Sequence, residues 1–148
     1  MRVVVQRVGE ASVEVEGKIV SSIGKGILVL AAYKNDDDME NLDWTARKCL
    51  ELRIFEDDSG RMERSVMDVD GEVLIVSQFT LYGDCRKGRR PSYTKSASFE
   101  SANELHRQFV DLVSSYYPRV QEGVFGARMK VRLLNDGPVT LIIDRDEH

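Results

Sequence analysis

Two nearly unbroken apolar runs constrain this chain most: Ile27-Leu28-Val29-Leu30-Ala31-Ala32-Tyr33 and Val73-Leu74-Ile75-Val76. Consecutive β-branched and aliphatic residues favour pleated backbone, and a run without polar alternation needs cover on both faces. Both runs therefore predict central strands of a sheet. Apolar alternation at Val3, Val5 and Val8, and again at Val13 and Val15, predicts two further strands, over residues 2–8 and 11–15. Glu16-Gly17-Lys18 reads as a tight turn, after which residues 19–23 return antiparallel. Gly24-Lys25-Gly26 reverses the chain into the first apolar run. It lacks the further glycines and the Lys-Ser/Thr pair of a phosphate cradle.

Helical spacing occurs twice. Asp36-Asp37-Asp38 opens the first helix, where carboxylates suit the unpaired N–H groups, and Met39, Leu42, Ala46, Cys49 and Leu50 form its apolar face as far as Leu52. The second is predicted from about Ser98 to Tyr117, with Ala102, Leu105, Phe109, Leu112, Val113 and Tyr116 as its stripe and Pro118 as its stop. The capping-box spacing of Ser101 and Glu104 would start it one turn later. Between the helices come a short strand at Arg53-Ile54-Phe55, a turn at residues 57–60 and a poorly periodic connection over 61–69. Asp70-Gly71 then gives a hairpin signal into the second apolar run. Residues 91–96 read as extended, because Pro91 biases Arg90 away from helix. In the last third, strands are predicted over 120–125, 129–134 and 139–144, with Asn135-Asp136-Gly137 as a hairpin turn between the last two. Pro138 is unusual there, since it removes a ladder donor and a Gly–Pro bond has access to the cis form.

A chain of 148 residues with this much apolar sequence predicts one domain, over 1–148, with a full core. No apolar run approaches the roughly 20 residues of a membrane span, and the opening seven residues are too soon interrupted for a signal peptide. Cys49 and Cys85 make no disulfide framework, so a reducing, cytoplasmic setting is expected. The net charge of −4 excludes a polycation that attracts nucleic acid over its whole surface. A local candidate is the basic loop of Arg86, Lys87, Arg89 and Arg90, for which a merely solvated surface is the alternative.

The second apolar run passes abruptly into Ser77-Gln78-Phe79-Thr80-Leu81-Tyr82-Gly83-Asp84. Two hydroxyls and an amide at a strand end suit a cleft mouth on a rigid support, although the same residues can simply satisfy a strand edge. Nucleophilic triads need a histidine within reach, and the chain has only His106, mid-helix beside Leu105, and the terminal His148. Cys85 lies beside Arg86 and Lys87, which favour a thiolate, but no base accompanies it. Histidines and cysteines are too few and scattered for a metal site, and the three aspartates lack the spacing of a calcium loop. No metal and no cofactor are expected. What remains is oxyanion stabilisation: Gln78 with the N–H groups of Phe79 and Thr80 can hold a tetrahedral acyl-transfer intermediate. Thr80 as nucleophile, without a base, is the weaker option.

Two stretches together identify a family. Ser77-Gln78-Phe79-Thr80-Leu81 and Asn135-Asp136-Gly137-Pro138-Val139-Thr140 resemble the paired signature motifs of the D-aminoacyl-tRNA deacylases, also called D-tyrosyl-tRNA deacylases. The likeness continues through Gln6-Arg7-Val8, Arg90-Pro91-Ser92 and Phe125-Gly126-Ala127-Arg128-Met129. The resemblance implies an α+β fold, with a strongly twisted, mostly antiparallel, barrel-like sheet and two main helices, assembled as a homodimer with its active site at the interface. It implies hydrolysis of the ester joining a D-amino acid, or achiral glycine, to the 3′ end of tRNA, with no DNA and no membrane as partner. By the same resemblance, Gln78, Phe79 and Thr80 are catalytic, Ser77 binds substrate and Met129 lines the adenosine pocket. Gly137-Pro138 forms a cis dipeptide that excludes L-configured substrates from the partner subunit's site, and Arg7 fixes that dipeptide. A non-catalytic tRNA-binding module and a small-ester hydrolase are the competing readings.

Overall fold

The computed structural model describes residues 1–145, so the expectation for His148 lies outside the described residues. Among these residues the strands are β1 (Arg2–Val15), β2 (Lys18–Ile23), β3 (Gly26–Ala32), β4 (Phe55–Glu56), β5 (Met62–Arg64), β6 (Glu72–Ser77), β7 (Val120–Glu122) and β8 (Lys130–Asp144). The helices are α1 (Met39–Glu51) and α2 (Phe99–Tyr116), and a 3₁₀ turn covers Phe79–Tyr82.

The two apolar runs are central strands, as their composition predicts. β3 and β6 pair in parallel, Ile27 opposite Val73 and Leu30 opposite Val76, and β7 adds in parallel beyond β6. On one face Ile27, Val29, Ala31, Val73 and Ile75 pack against Leu42, Ala46, Cys49 and Leu50 of α1 and Phe109, Val110 and Val113 of α2. On the other, Leu28, Leu74 and Val76 meet Val8, Ala11, Val13 and Ile23 inside the curl of the sheet. Strands buried on both sides can carry no polar alternation, which is why the runs are unbroken. Burial pushes the Cys49 thiol up to about 12, so it behaves as a small apolar side chain.

The parallel pairings of β6 make the sheet mixed, although most of its pairing is antiparallel, as expected. β1 supplies the antiparallel part, lying along β8 on one side and along β3 and then β2 on the other. The Ser22 N–H donates to Gln121 Oε1 at 2.9 Å, bringing β2 against β7 and nearly closing a barrel. α1 is capped by the Asp38 carboxylate on the Asn41 N–H, and α2 by the Ser98 hydroxyl on the Ser101 N–H, so α2 starts at the earlier of its two candidate positions.

Four local expectations are corrected. Residues 2–8 and 11–15 form one strand, whose inward face switches between Arg7 and Val8, where its pairing with β8 shifts register. The strand expected at residues 53–55 falls at Phe55–Glu56 and pairs with β5, inside the supposed connection. Asp70, at φ +52°, does make a turn, but β6 enters the sheet parallel to β3 instead of hairpinning onto its predecessor. Finally, residues 135–138 do not reverse the chain: β8 runs through them, paired with β1 on both sides, and they form a bulge. A Gly in a strand marks either a turn or a bulge, and only the partner strand decides which.

Candidate active site

Parallel pairing places the ends of β3 and β6 together, and the Gln78 N–H donates to the Ala31 carbonyl at 2.7 Å just beyond them. There the chain breaks from the strand into the 3₁₀ turn. A cavity of about 620 Å³ opens at this edge, with Ser77, Gln78, Phe79 and Met129 among its lining residues. Its volume suits a small organic ligand. Apolar walls come from Phe99 and Phe125, whose rings lie 5.2 Å apart, and from Tyr33 and Tyr93. At Gly126, with φ +78°, a Cβ would lie 3.0 Å from the Phe99 ring, so glycine there lets the loop close over the wall.

The first two N–H groups of the turn, those of Phe79 and Thr80, have no acceptor within the turn itself. Gln78 and Phe79 line the cavity, and Thr80 follows directly in the turn. The Gln78 Nε2 donates to Thr80 Oγ1 at 2.5 Å. A carboxamide cannot take a proton from that hydroxyl, so this contact orients Thr80 without activating it.

The only histidine within the described residues is committed elsewhere. His106 is buried, and its Nδ1 shares a hydrogen bond of 2.7 Å with the Tyr33 hydroxyl. Burial lowers its pKa to about 4, opposed by Glu122 and assisted by Arg107. The same burial raises that of Tyr33, which stays a proton donor. This pair supports the cavity wall behind Phe125, whose ring centroid is 5.6 Å from that of His106. An unfolded histidine titrates near 6.5, so between pH 6.5 and about 4 the unfolded chain holds a proton that the folded one lacks. Stability is complete above that window and falls as pH drops through it, by about 3 kcal/mol. Denaturant unfolding at stepped pH should show this loss in the natural chain and not in His106→Phe.

Arg7, Gly137 and Pro138 do not line this cavity. Arg7 is buried, with Nε donating to the Asp136 carbonyl at 2.9 Å and Nη1 to the Ile54 carbonyl at 2.7 Å. It therefore straps the β8 bulge to the segment after α1. Across the bulge, Asn135 Oδ1 accepts from the Val139 N–H at 3.1 Å while Nδ2 donates to Thr140 Oγ1 at 2.8 Å. Asn135 and Thr140 belong to the motif noted in the sequence, yet their bracing role is legible only once the bulge is known. The Gly137–Pro138 bond is cis, and both residues are exposed. Arg7 lies opposite Ile27 and Ser77 opposite Ala31, four residues apart along β3, which is about 13 Å. Within one protomer the β8 bulge therefore lies away from the cavity.

The model of the family described as D-Tyr-tRNA(Tyr) deacylase matches residues 4–144. The chain belongs to this family. A protein of Thermosipho africanus named D-aminoacyl-tRNA deacylase is 54% identical over 144 residues, which is 97% of each chain. A solved structure described as "c-Myc DNA Unwinding Element Binding Protein" superposes with a TM-score of 0.95 at 41% identity, covering 99% of this chain and 100% of that one. Another, described as "a probable eukaryotic D-amino acid tRNA deacylase", has a TM-score of 0.85 at 22% identity over 97% and 98% of the two chains, and shares the fold. Family membership confirms the expectation drawn from the two motifs.

Proposed function

We propose that this chain hydrolyses the ester between a D-amino acid and the 3′-terminal ribose of tRNA, and that it works as a homodimer. The observation that supports the reading is the cavity at the ends of β3 and β6, lined by Ser77, Gln78 and Phe79, with Thr80 held by the Gln78 amide rather than by a base. The terminal adenosine enters beside Met129 and Phe125, and the ester carbonyl faces the two N–H donors. Water positioned by the ribose 2′-hydroxyl adds to the carbonyl, and the oxyanion is held by those donors. The bond to the 3′-oxygen then breaks, that oxygen takes the proton, and the free amino acid and tRNA leave.

The Gly137-Pro138 segment serves the partner's site. Held by Arg7 and braced by Asn135, it narrows the space beside the α-carbon so that a D side chain is accommodated and an L one collides. Glycine, having no side chain, passes, so glycyl-tRNA is also a substrate. Support for the dimer comes from β8, a long edge strand whose Leu134 and Ile142 are 59% and 70% exposed. An apolar edge of that kind is normally covered. A soluble catalyst acting on tRNA is expected in the cytoplasm.

Thr80→Ala is expected to keep D-Tyr-tRNA hydrolysis within about tenfold, because only its N–H takes part. A loss beyond about three decades, roughly 4 kcal/mol of barrier, would make the hydroxyl the nucleophile. The reading itself is tested by offering D-Tyr-tRNA and D-tyrosine methyl ester side by side. Release from the tRNA alone supports it, equal release from both indicates a small-ester hydrolase, and binding without release indicates a nucleic-acid-binding module.

A further inference from the structure

A second hollow, outside the catalytic cavity, has no part in the mechanism above. On the other side of the 3₁₀ turn, an open cleft of about 740 Å³ is lined by Arg2, Lys34, Arg86 and Lys95 and by the carboxylates of Asp36 and Asp84. Arg86 is paired with Asp84 and Arg2 with Asp144, so Lys34 and Lys95 against Asp36 leave a small local positive excess in a chain whose net charge is −4. A positive excess in a concave site attracts an anion that the net charge of the chain repels.

The cleft and the cavity are neighbours by construction. Phe79, which begins the turn, and Tyr93 line the cavity, while Tyr82, which ends the turn, and Lys95 line the cleft. The divide is about 6 Å of 3₁₀ backbone. On that divide stand two exposed rings, Phe79 and Tyr93, edge to face with centroids 5.2 Å apart. Tyr93 is seated rather than loose: at Gly83 a Cβ would lie 3.0 Å from its Cε1. The cleft's wall is equally fixed. Arg2 Nη1 donates to the Leu81 carbonyl at 3.0 Å, and its guanidinium lies 4.9 Å from the centre of the Tyr82 ring. Asp84 holds Arg86 through Nε and Nη2 at 2.9 and 2.7 Å, and it exchanges backbone hydrogen bonds with Ser92 at 2.7 and 2.9 Å. That exchange closes the basic loop at its base, and Lys87, Arg89 and Arg90 are exposed on the loop without lining the cleft.

We infer that this cleft is the backbone site for the single-stranded end of the RNA substrate. With the terminal nucleoside in the cavity, the preceding base stacks on Phe79 and Tyr93, and the phosphodiesters beyond it lie against Lys34 and Lys95. Aromatic platforms beside a positive groove are how proteins hold single strands without reading sequence. The inference rests on the deacylase reading, because it takes the cavity as the place of the 3′ terminus.

The test compares Lys34→Gln/Lys95→Gln with the natural chain on D-Tyr-tRNA and on 3′-O-D-tyrosyl-adenosine, which has no phosphate. On tRNA, kcat/KM is expected to fall at least about tenfold at low salt. The dependence of log kcat/KM on log salt should become shallower by about 1.4, from two lost single-strand phosphate contacts. On the adenosine ester the variant should match the natural chain within about twofold, which also reports an intact fold. Equal losses on both substrates, or an unchanged rate and salt slope on tRNA, overturn the inference while the deacylase reading stands. If the natural chain cleaves neither ester, that reading fails and the cleft assignment fails with it.

Discussion

Gly137→Ala is expected to reduce the ratio of D-Tyr-tRNA to L-Tyr-tRNA hydrolysis by about 100-fold, mostly through faster cleavage of the L substrate. At φ +125° an L side chain is strained, and the added Cβ would lie 2.3 Å from Arg7 Nη2. The guanidinium has to move, and its hydrogen bonds to the Asp136 and Ile54 carbonyls go with it. Two charge-assisted bonds of this kind are worth about 3 kcal/mol together, which is the scale of a 100-fold change. On the proposed cross-subunit reading, the loosened bulge no longer holds its narrow spacing against the partner's substrate. Arg7→Ala removes the same strap without adding an atom and should relax selectivity to a similar degree. Rates measured separately on the two substrates check this, and an unchanged ratio in both variants would contradict the role given to the strap.

The second large effect concerns assembly. Leu134→Asp/Ile142→Asp is expected to yield a monomer with hydrolysis lowered by at least about 1,000-fold. Desolvating an unpaired carboxylate costs several kcal/mol, so two of them on an apolar edge disfavour its burial strongly. In the natural chain both side chains are exposed on the protomer, and the bulge lies between them on the same strand. Light scattering gives the mass and a single-turnover assay gives the rate. A monomeric variant that remains active would show that one protomer holds a complete site.

Much of the fold was legible because burial leaves a plain mark on composition. β3 and β6 are apolar without interruption since both faces are covered, and the α1 and α2 stripes match the residues that pack beneath them except at Met39 and Tyr116, which are exposed near the helix ends. What could not be read was partner choice. Asp70-Gly71 and Asn135-Asp136-Gly137 carry the local chemistry of a turn, yet one leads into a parallel pairing and the other is a bulge in a strand held by β1. Local propensity sets the bend, whereas the register of distant strands decides whether the chain reverses. The site was legible in the same uneven way. Ser77, Gln78, Phe79 and Met129 do converge on the cavity, and Thr80 adjoins them through Gln78. Tyr33, Tyr93 and Phe99 were missed as walls because an aromatic residue at a helix start or in a loop has no periodic signature. Arg7 showed nothing in its own neighbourhood, since both its partners lie more than 40 positions away.

The central claim is that the chain removes D-aminoacyl groups from tRNA and spares L ones. Single-turnover release of tyrosine from D-Tyr-tRNA and L-Tyr-tRNA, each mixed with excess natural protein at the same salt, tests it most directly. The account predicts release from the D substrate at least about 100-fold faster than from the L substrate, a difference of roughly 2.7 kcal/mol in barrier. Equal rates, or faster release from L-Tyr-tRNA, would contradict it.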